Sequence, residues 1–142
     1  MELRIPAQVF SAYSLCLIEI YFMEQMKVLI IDDNEKVRLL LRDYLPALVD
    51  EIYECVDGGE AFALYQKHRP DWVLMDWEMP NVNGITAIRR IIAEFPKAHI
   101  CMVTAFDDEA IRAEALSAGA SGFVLKDNLF ELEAILVDRL EK

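Results

Sequence analysis

Basic residues are scarce in this sequence. Lys and Arg number 14 against 25 Asp and Glu, a formal net charge of −11. Such a chain is repelled by nucleic acid and by anionic lipid, which are bound through basic patches. Direct nucleic-acid binding is not expected; a basic protein partner is compatible with the charge. Cysteine is also sparse. Cys16, Cys55 and Cys101 are odd in number and show no metal-ligand spacing. They read as reduced, small core residues of a cytoplasmic protein. No repeat, low-complexity tract or internal linker interrupts the chain. A long apolar run is missing too. Residues 5–18, IPAQVFSAYSLCLI, carry no charge but span only 14 residues, short of the roughly 20 that a membrane span needs. The start, MELR, pairs one acid with one base and lacks the positive opening of a signal peptide.

What is present is an apolar fraction of 55% over 142 residues, enough for one domain with a real core. Residues 1–25 read as an extension. Drawn as a helix over 7–24, this extension puts Gln8, Ser11, Ser14 and Glu19 roughly on one side. Phe10, Tyr13, Leu17 and Ile20 fall on the other. Such a helix would pack on the domain, on a second copy or on a partner. Met26 directly precedes the first strand, so the extension also reads as an upstream start that adds nothing.

From 26 to 142 the pattern alternates. KVLII (27–31), EIYECV (51–56), WVLM (72–75), HICMVT (99–104) and GFVL (122–125) are short apolar runs and read as strands. Between and after them lie five segments with helical spacing: 34–45, 58–68, 85–95, 107–119 and 129–140. In the fourth, acids stand at the N-terminus and Gly119 is placed to end the helix. Five strands alternating with five helices predict an α/β fold, a doubly wound parallel sheet with helices on both faces. Ligands of such sheets bind beyond the carboxyl ends of the strands, near the point where strand order reverses.

Those ends carry Asp32 and Asp33, Asp76, Thr104 and Lys126. Three carboxylates held together repel one another, so a cation must offset them or one takes up a proton. An all-oxygen set of this kind suits Mg²⁺. A carboxylate beside such a metal is a competent nucleophile toward phosphorus, and a lysine and a hydroxyl supply contacts to phosphoryl oxygens. Singly, each residue has an ordinary use: a helix cap, a turn acid, a strand end, a solvated charge. All five at the ends of four strands point to a phosphate site.

IIDDNEKVR, DWVLMDWEMPNVNG, VTA and GFVLKD together resemble the signatures of the bacterial response-regulator receiver domain. The resemblance covers about 26–142, and its motifs are specific as a set. It implies a flavodoxin-like sheet of strand order 2-1-3-4-5. It also implies that Asp76 is the phosphoacceptor, loaded by a histidine kinase or a His-containing phosphotransfer protein. Asp33 matches the acid that binds Mg²⁺ directly, Asp32 its neighbour acting through water, and Glu78 the donor of a backbone carbonyl to the metal. Thr104 matches the switching hydroxyl, Lys126 the lysine that pairs with the phosphoryl group, and Phe123 the aromatic that turns inward with Thr104. Glu78 and Phe106 match positions bordering the approach of the hydrolytic water. Two departures stand out. Asp127 follows Lys126 where many relatives have a cis-linked proline, so a trans bond is expected. Phe123 lacks the hydroxyl of the frequent tyrosine, which leaves burial as its only switch.

The expected function is a stand-alone receiver, a signalling switch rather than an enzyme in its own right, acting in the cytoplasm. Its output would be a protein effector meeting the face of helix four, strand five and helix five, including Ala110, Leu116, Phe123 and Leu125 with Glu109 and Glu114. A homodimer is compatible with this reading. The alternatives are a receiver cut from a longer DNA-binding regulator, a non-phosphorylated scaffold or dimerisation module, and a phosphatase-type hydrolase. The last needs a cap over the site, for which the short loops leave little room.

Overall fold

Four of the helices begin on a short polar side chain that satisfies the free amides of the first turn. In the computed structural model, which describes residues 26–138, Asn34, Asp57, Asn83 and Asp108 are those caps. The elements run β1 (Met26–Ile31), α1 (Glu35–Tyr44), β2 (Val49–Cys55), α2 (Gly58–His68), β3 (Trp72–Met75), α3 (Gly84–Glu94), β4 (Ile100–Thr104), α4 (Glu109–Ala118) and β5 (Gly122–Leu125). A 3₁₀ segment (Lys126–Glu131) leads into α5 (Leu132–Asp138). The expected N-terminal helix and Cys16 lie outside the described residues. Among the described residues no helix is long and apolar enough to cross a membrane.

The five strands form one parallel sheet in the order β2-β1-β3-β4-β5, as the flavodoxin-like reading requires. Alternation along each strand feeds two cores. Leu29 and Ile31 of β1, with Val73 and Met75 of β3, pack under α2, α3 and α4. Val28, Ile30 and Leu74 pack with Leu41 of α1 and with Leu132 and Leu136 of α5. Both faces being covered explains why β1, β3 and β4 read as continuous apolar runs.

Two details differ from the expected elements. The last helix, expected over 129–140, is not a single α-helix within the described residues, which end at 138. It opens as a 3₁₀ segment with Asn128 at φ −124° and ψ 40°. Asp127 and Asn128 follow Lys126 in its first turn, and short polar side chains compete with helical backbone bonding. Strand β2 starts at Val49 rather than Glu51. Its half-exposed edge position gives it a weaker apolar signal. Gly119 ends α4 in the left-handed region, φ 113°, as expected from its place in sequence. Among the described residues no peptide bond is cis, that of Lys126–Asp127 included.

Candidate functional site

The sheet order fixes which strand ends meet. β1 and β3 are neighbours, so Asp32 and Asp33 leave one strand beside Asp76 leaving the next. The Asp76 amide donates to the Ile31 carbonyl at 2.9 Å, which continues the β1–β3 ladder into the site. One carboxylate oxygen each from Asp32, Asp33 and Asp76 lies within 4.8 Å of the others. Asp32 and Asp76 are buried and Asp33 is exposed. Lys126, at the end of β5, reaches over β4. Its Nζ stands 2.9 Å from Asp32 Oδ2 and 3.2 Å from Asp76 Oδ1.

These groups open into a cleft of about 540 Å³, walled also by Asn34, Glu78, Met79, Pro80, Ala105 and Phe106. Thr104 is not part of that wall. It is fully buried at the end of β4, and its Oγ1 accepts the Phe106 amide at 3.2 Å. Ala105 and Phe106 therefore face the cleft where the sequence alone suggested the threonine. Phe106 meets Trp77 edge-on, with ring centroids 5.2 Å apart. Phe123 is buried as well, and the Arg112 guanidinium lies 4.6 Å from its ring centroid. α4 thus exposes Glu109, Ala110 and Leu116 but not the Phe123 ring, and Glu114 is turned to Arg89 of α3, 3.4 Å away.

Two residues without a signal in the sequence hold Asp32 in place. Asn34, and neither Asp32 nor Asp33, caps α1. Its own amide donates to Asp32 Oδ1 at 2.9 Å. Arg38 Nη1 donates to the Asp32 carbonyl at 2.8 Å, and its Nε lies 3.6 Å from Glu54. An arginine four residues into a helix gives no sequence signal of this; only the fold turns it back on the strand end.

Three carboxylates face one ammonium. Burial, then the charge of Asp32, pushes the Asp76 carboxyl up to about 6, with Lys126 pulling the other way. Burial alone lowers the Lys126 ammonium, but the hydrogen bond and charge of Asp32, then those of Asp76, outweigh it and leave the group above its ordinary value. Asp32 Oδ2 is buried, with the Lys126 ammonium 2.9 Å away as its partner. Three converging carboxylates with a single ammonium to offset them, an all-oxygen set, fit a hard divalent cation.

The raised Asp76 carboxyl has a consequence for stability. Its folded value, about 6, exceeds the usual 3.8. Its contribution is therefore fully present below about pH 4 and lost as pH rises through about 6. With each unit worth about 1.4 kcal/mol, ionised Asp76 costs the metal-free fold 2 to 3 kcal/mol near pH 7.5, on the order of magnitude. Asp76→Asn, which mimics the protonated form, is expected to be more stable than wild type by about that much in urea with EDTA at pH 7.5. The gap should narrow to about half by pH 5. An Asn variant weaker than wild type at pH 7.5 would show that the ion pair with Lys126 outweighs the repulsion.

Comparison with known proteins gives the family. The family model for the response regulator receiver domain matches residues 28–137. Protein CcdB of Bacillus subtilis is 42% identical over 101 residues, 70% of this chain and 84% of that protein. The uncharacterized transcriptional regulatory protein YhcZ of the same organism is 38% identical over 104 residues, 72% of this chain. The match covers only 49% of that regulator, so this chain spans about half the length of such relatives. Among solved structures, the CheX–CheY–BeF3–Mg²⁺ complex from Borrelia burgdorferi matches at TM-score 0.76 and 26% identity, covering 82% of this chain and 90% of the other. A cleft of three aspartates and a lysine at the ends of β1, β3 and β5, on a 2-1-3-4-5 sheet, is thus found in a chain that belongs to the response regulator receiver family.

Proposed function

We propose that Asp76 is the phosphoacceptor of this receiver, loaded by a histidine kinase or a His-containing phosphotransfer protein. Accepting a phosphoryl group is the role of the family. The observation that carries the assignment is the placement of Asp76. It is buried at the end of a central strand, open to the cleft, with Lys126 Nζ 3.2 Å from one of its oxygens. A carboxylate oxygen of Asp76 attacks phosphorus, the donor's bond to phosphorus breaks, and an aspartyl-phosphate is left. Lys126 already faces that carboxylate and is suited to pair with an oxygen of the incoming group. Thr104, one strand away, supplies the hydroxyl once it leaves the Phe106 amide. Its motion would make room for Phe123 to repack, a change in burial alone.

Asp32, Asp33 and Asp76, with the backbone carbonyl of Glu78, are the residues that would hold Mg²⁺. When bound, the metal offsets their mutual repulsion and stabilises charge on the transferring group. Trp77 follows Asp76 directly and reports on the site. Titrated with Mg²⁺, wild type is expected to change tryptophan fluorescence with saturation, and Asp33→Asn to weaken the affinity about tenfold or more. An equal affinity in the variant would remove Asp33 from the ligand set.

The self-directed chemistry ends there, so the chain works as a switch and its output is a partner. Leu116 is 50% exposed on α4, on the same side of the helix as Glu109 seven residues before it, which favours a basic protein surface meeting α4, β5 and α5. The division of the chain into residues 1–25 and a receiver from 26 onward, a cytoplasmic location and an acidic chain that leaves DNA to others belong to the same reading. The half-length match to transcriptional regulators favours a second reading, in which the effector is a DNA-binding output domain of a longer chain.

A further inference from the structure

The loop between β3 and α3 brings Glu78, Met79 and Pro80 to the cleft, yet the strand ends do not fix its far side. Three observations show what does. Asn81, at the tip, is held in the left-handed region, φ 67°. Its Nδ2 donates to Asp57 Oδ2 at 3.1 Å, while Asp57 Oδ1 caps α2 by accepting the Gly59 amide at 2.8 Å. The carbonyl of Val82 lies so close to Gly58 that a Cβ there would stand 2.5 Å from it. The N-terminus of α2 is thus a cradle for this loop, with one carboxylate shared between helix and loop.

We infer that Asp57 is a positioning residue for the cation site: through Asn81 it sets the loop that carries the Glu78 carbonyl. Asp57 does not line the cleft, and in sequence it stands 24 residues from its partner. A left-handed asparagine is uncommon and is kept where surrounding structure over-determines it. Here the Val82 amide donates to the Pro80 carbonyl at 2.8 Å across the turn, and the bond to Asp57 anchors that turn to α2. A supporting shell of this kind commonly carries a large share of a metal site's affinity.

The inference rests on the Mg²⁺ reading above, and the experiment separates the two. Mg²⁺ affinity is measured by tryptophan fluorescence on wild type, Asn81→Gly, Asp57→Ser and the double variant. Asn81→Gly removes the bond without straining the left-handed backbone and leaves the α2 cap untouched. Asp57→Ser keeps a capping oxygen for Gly59 but is too short to hold Asn81 as well. Each single variant is expected to weaken Mg²⁺ binding about tenfold, and the double variant to lose no more than either single, because all three remove one link. Urea midpoints are read in parallel; Asn81→Gly should move affinity far more than stability. Affinity unchanged in Asn81→Gly, or losses that multiply in the double variant, would overturn the positioning role. A wild type that binds no Mg²⁺ would overturn the cation reading itself, and this inference with it.

Discussion

Incubated with acetyl phosphate and Mg²⁺, the wild-type chain is expected to gain about 80 Da, the mass of one phosphoryl unit, and Asp76→Asn to gain nothing. Intact-protein mass spectrometry reads both directly. The expectation follows from what surrounds each carboxylate. Asp32 is tied at Oδ1 to the Asn34 amide and at Oδ2 to Lys126. Asp33 is exposed, where water competes for it. Asp76 is buried but opens to the cleft, on the central strand of the sheet. Burial also makes it a less solvated nucleophile. Without Mg²⁺, three acids repel the incoming anion and the gain should fall away with the metal. A gain that persists in Asp76→Asn would move the acceptor to Asp32 or Asp33. No gain in any form, with no Mg²⁺ binding, would leave a scaffold that kept the fold without the chemistry. Lys126→Ala keeps the nucleophile, so it should slow the gain without abolishing it.

The strand ends were readable in advance because each sits where an apolar run stops. Asp32, Asp33, Asp76 and Lys126 needed only strand boundaries to be placed on one rim, and the structure brings all four to one cleft. The same logic puts Thr104 at the rim, but strand ends fix a backbone position and not the direction of a side chain. Its hydroxyl bonds the amide two residues on, a local choice with no periodic signal. Phe123 shows the same limit: strand alternation puts it on a face, and only packing under Arg112 says that the ring is covered. The links from Arg38 to Asp32 and from Asp57 to Asn81 join segments that the sequence keeps apart. Nothing short of the fold brings them together. The 3₁₀ opening of the last helix was lost because Leu129, Leu132 and Leu136 have helical spacing whichever way the first turn is wound.

The same substitution at two glycines is expected to have opposite effects. Gly84 opens α3, where alanine is a better helix former by up to about 1 kcal/mol. A Cβ there would nevertheless lie 2.0 Å from the Asp76 carbonyl oxygen, 2.9 Å from its carbon and 3.0 Å from Trp77 Cα. All three are backbone atoms, so no rotamer change relieves the clash. Two belong to Asp76, the residue that the site is built on, and the third to the residue after it. The Gly84 amide also donates to the Trp77 carbonyl at 2.8 Å, which holds helix and strand end together at the point of contact. Gly84→Ala is expected to cost about 3 kcal/mol or more, read as a lower urea midpoint, and to slow phosphoryl uptake even where the protein stays folded, because the displaced backbone carries Asp76. Gly59 sits in the first turn of α2 with no left-handed φ, and a Cβ there meets only the Asp57 side chain, at 3.4 Å or beyond. Gly59→Ala removes freedom from the unfolded chain without strain in the fold, and should stabilise by about 0.4 to 1 kcal/mol. Equal midpoints for wild type and Gly84→Ala would mean that the helix retreats from the strand end without loss. The close packing of α3 against Asp76 would then not be what holds the acceptor in place.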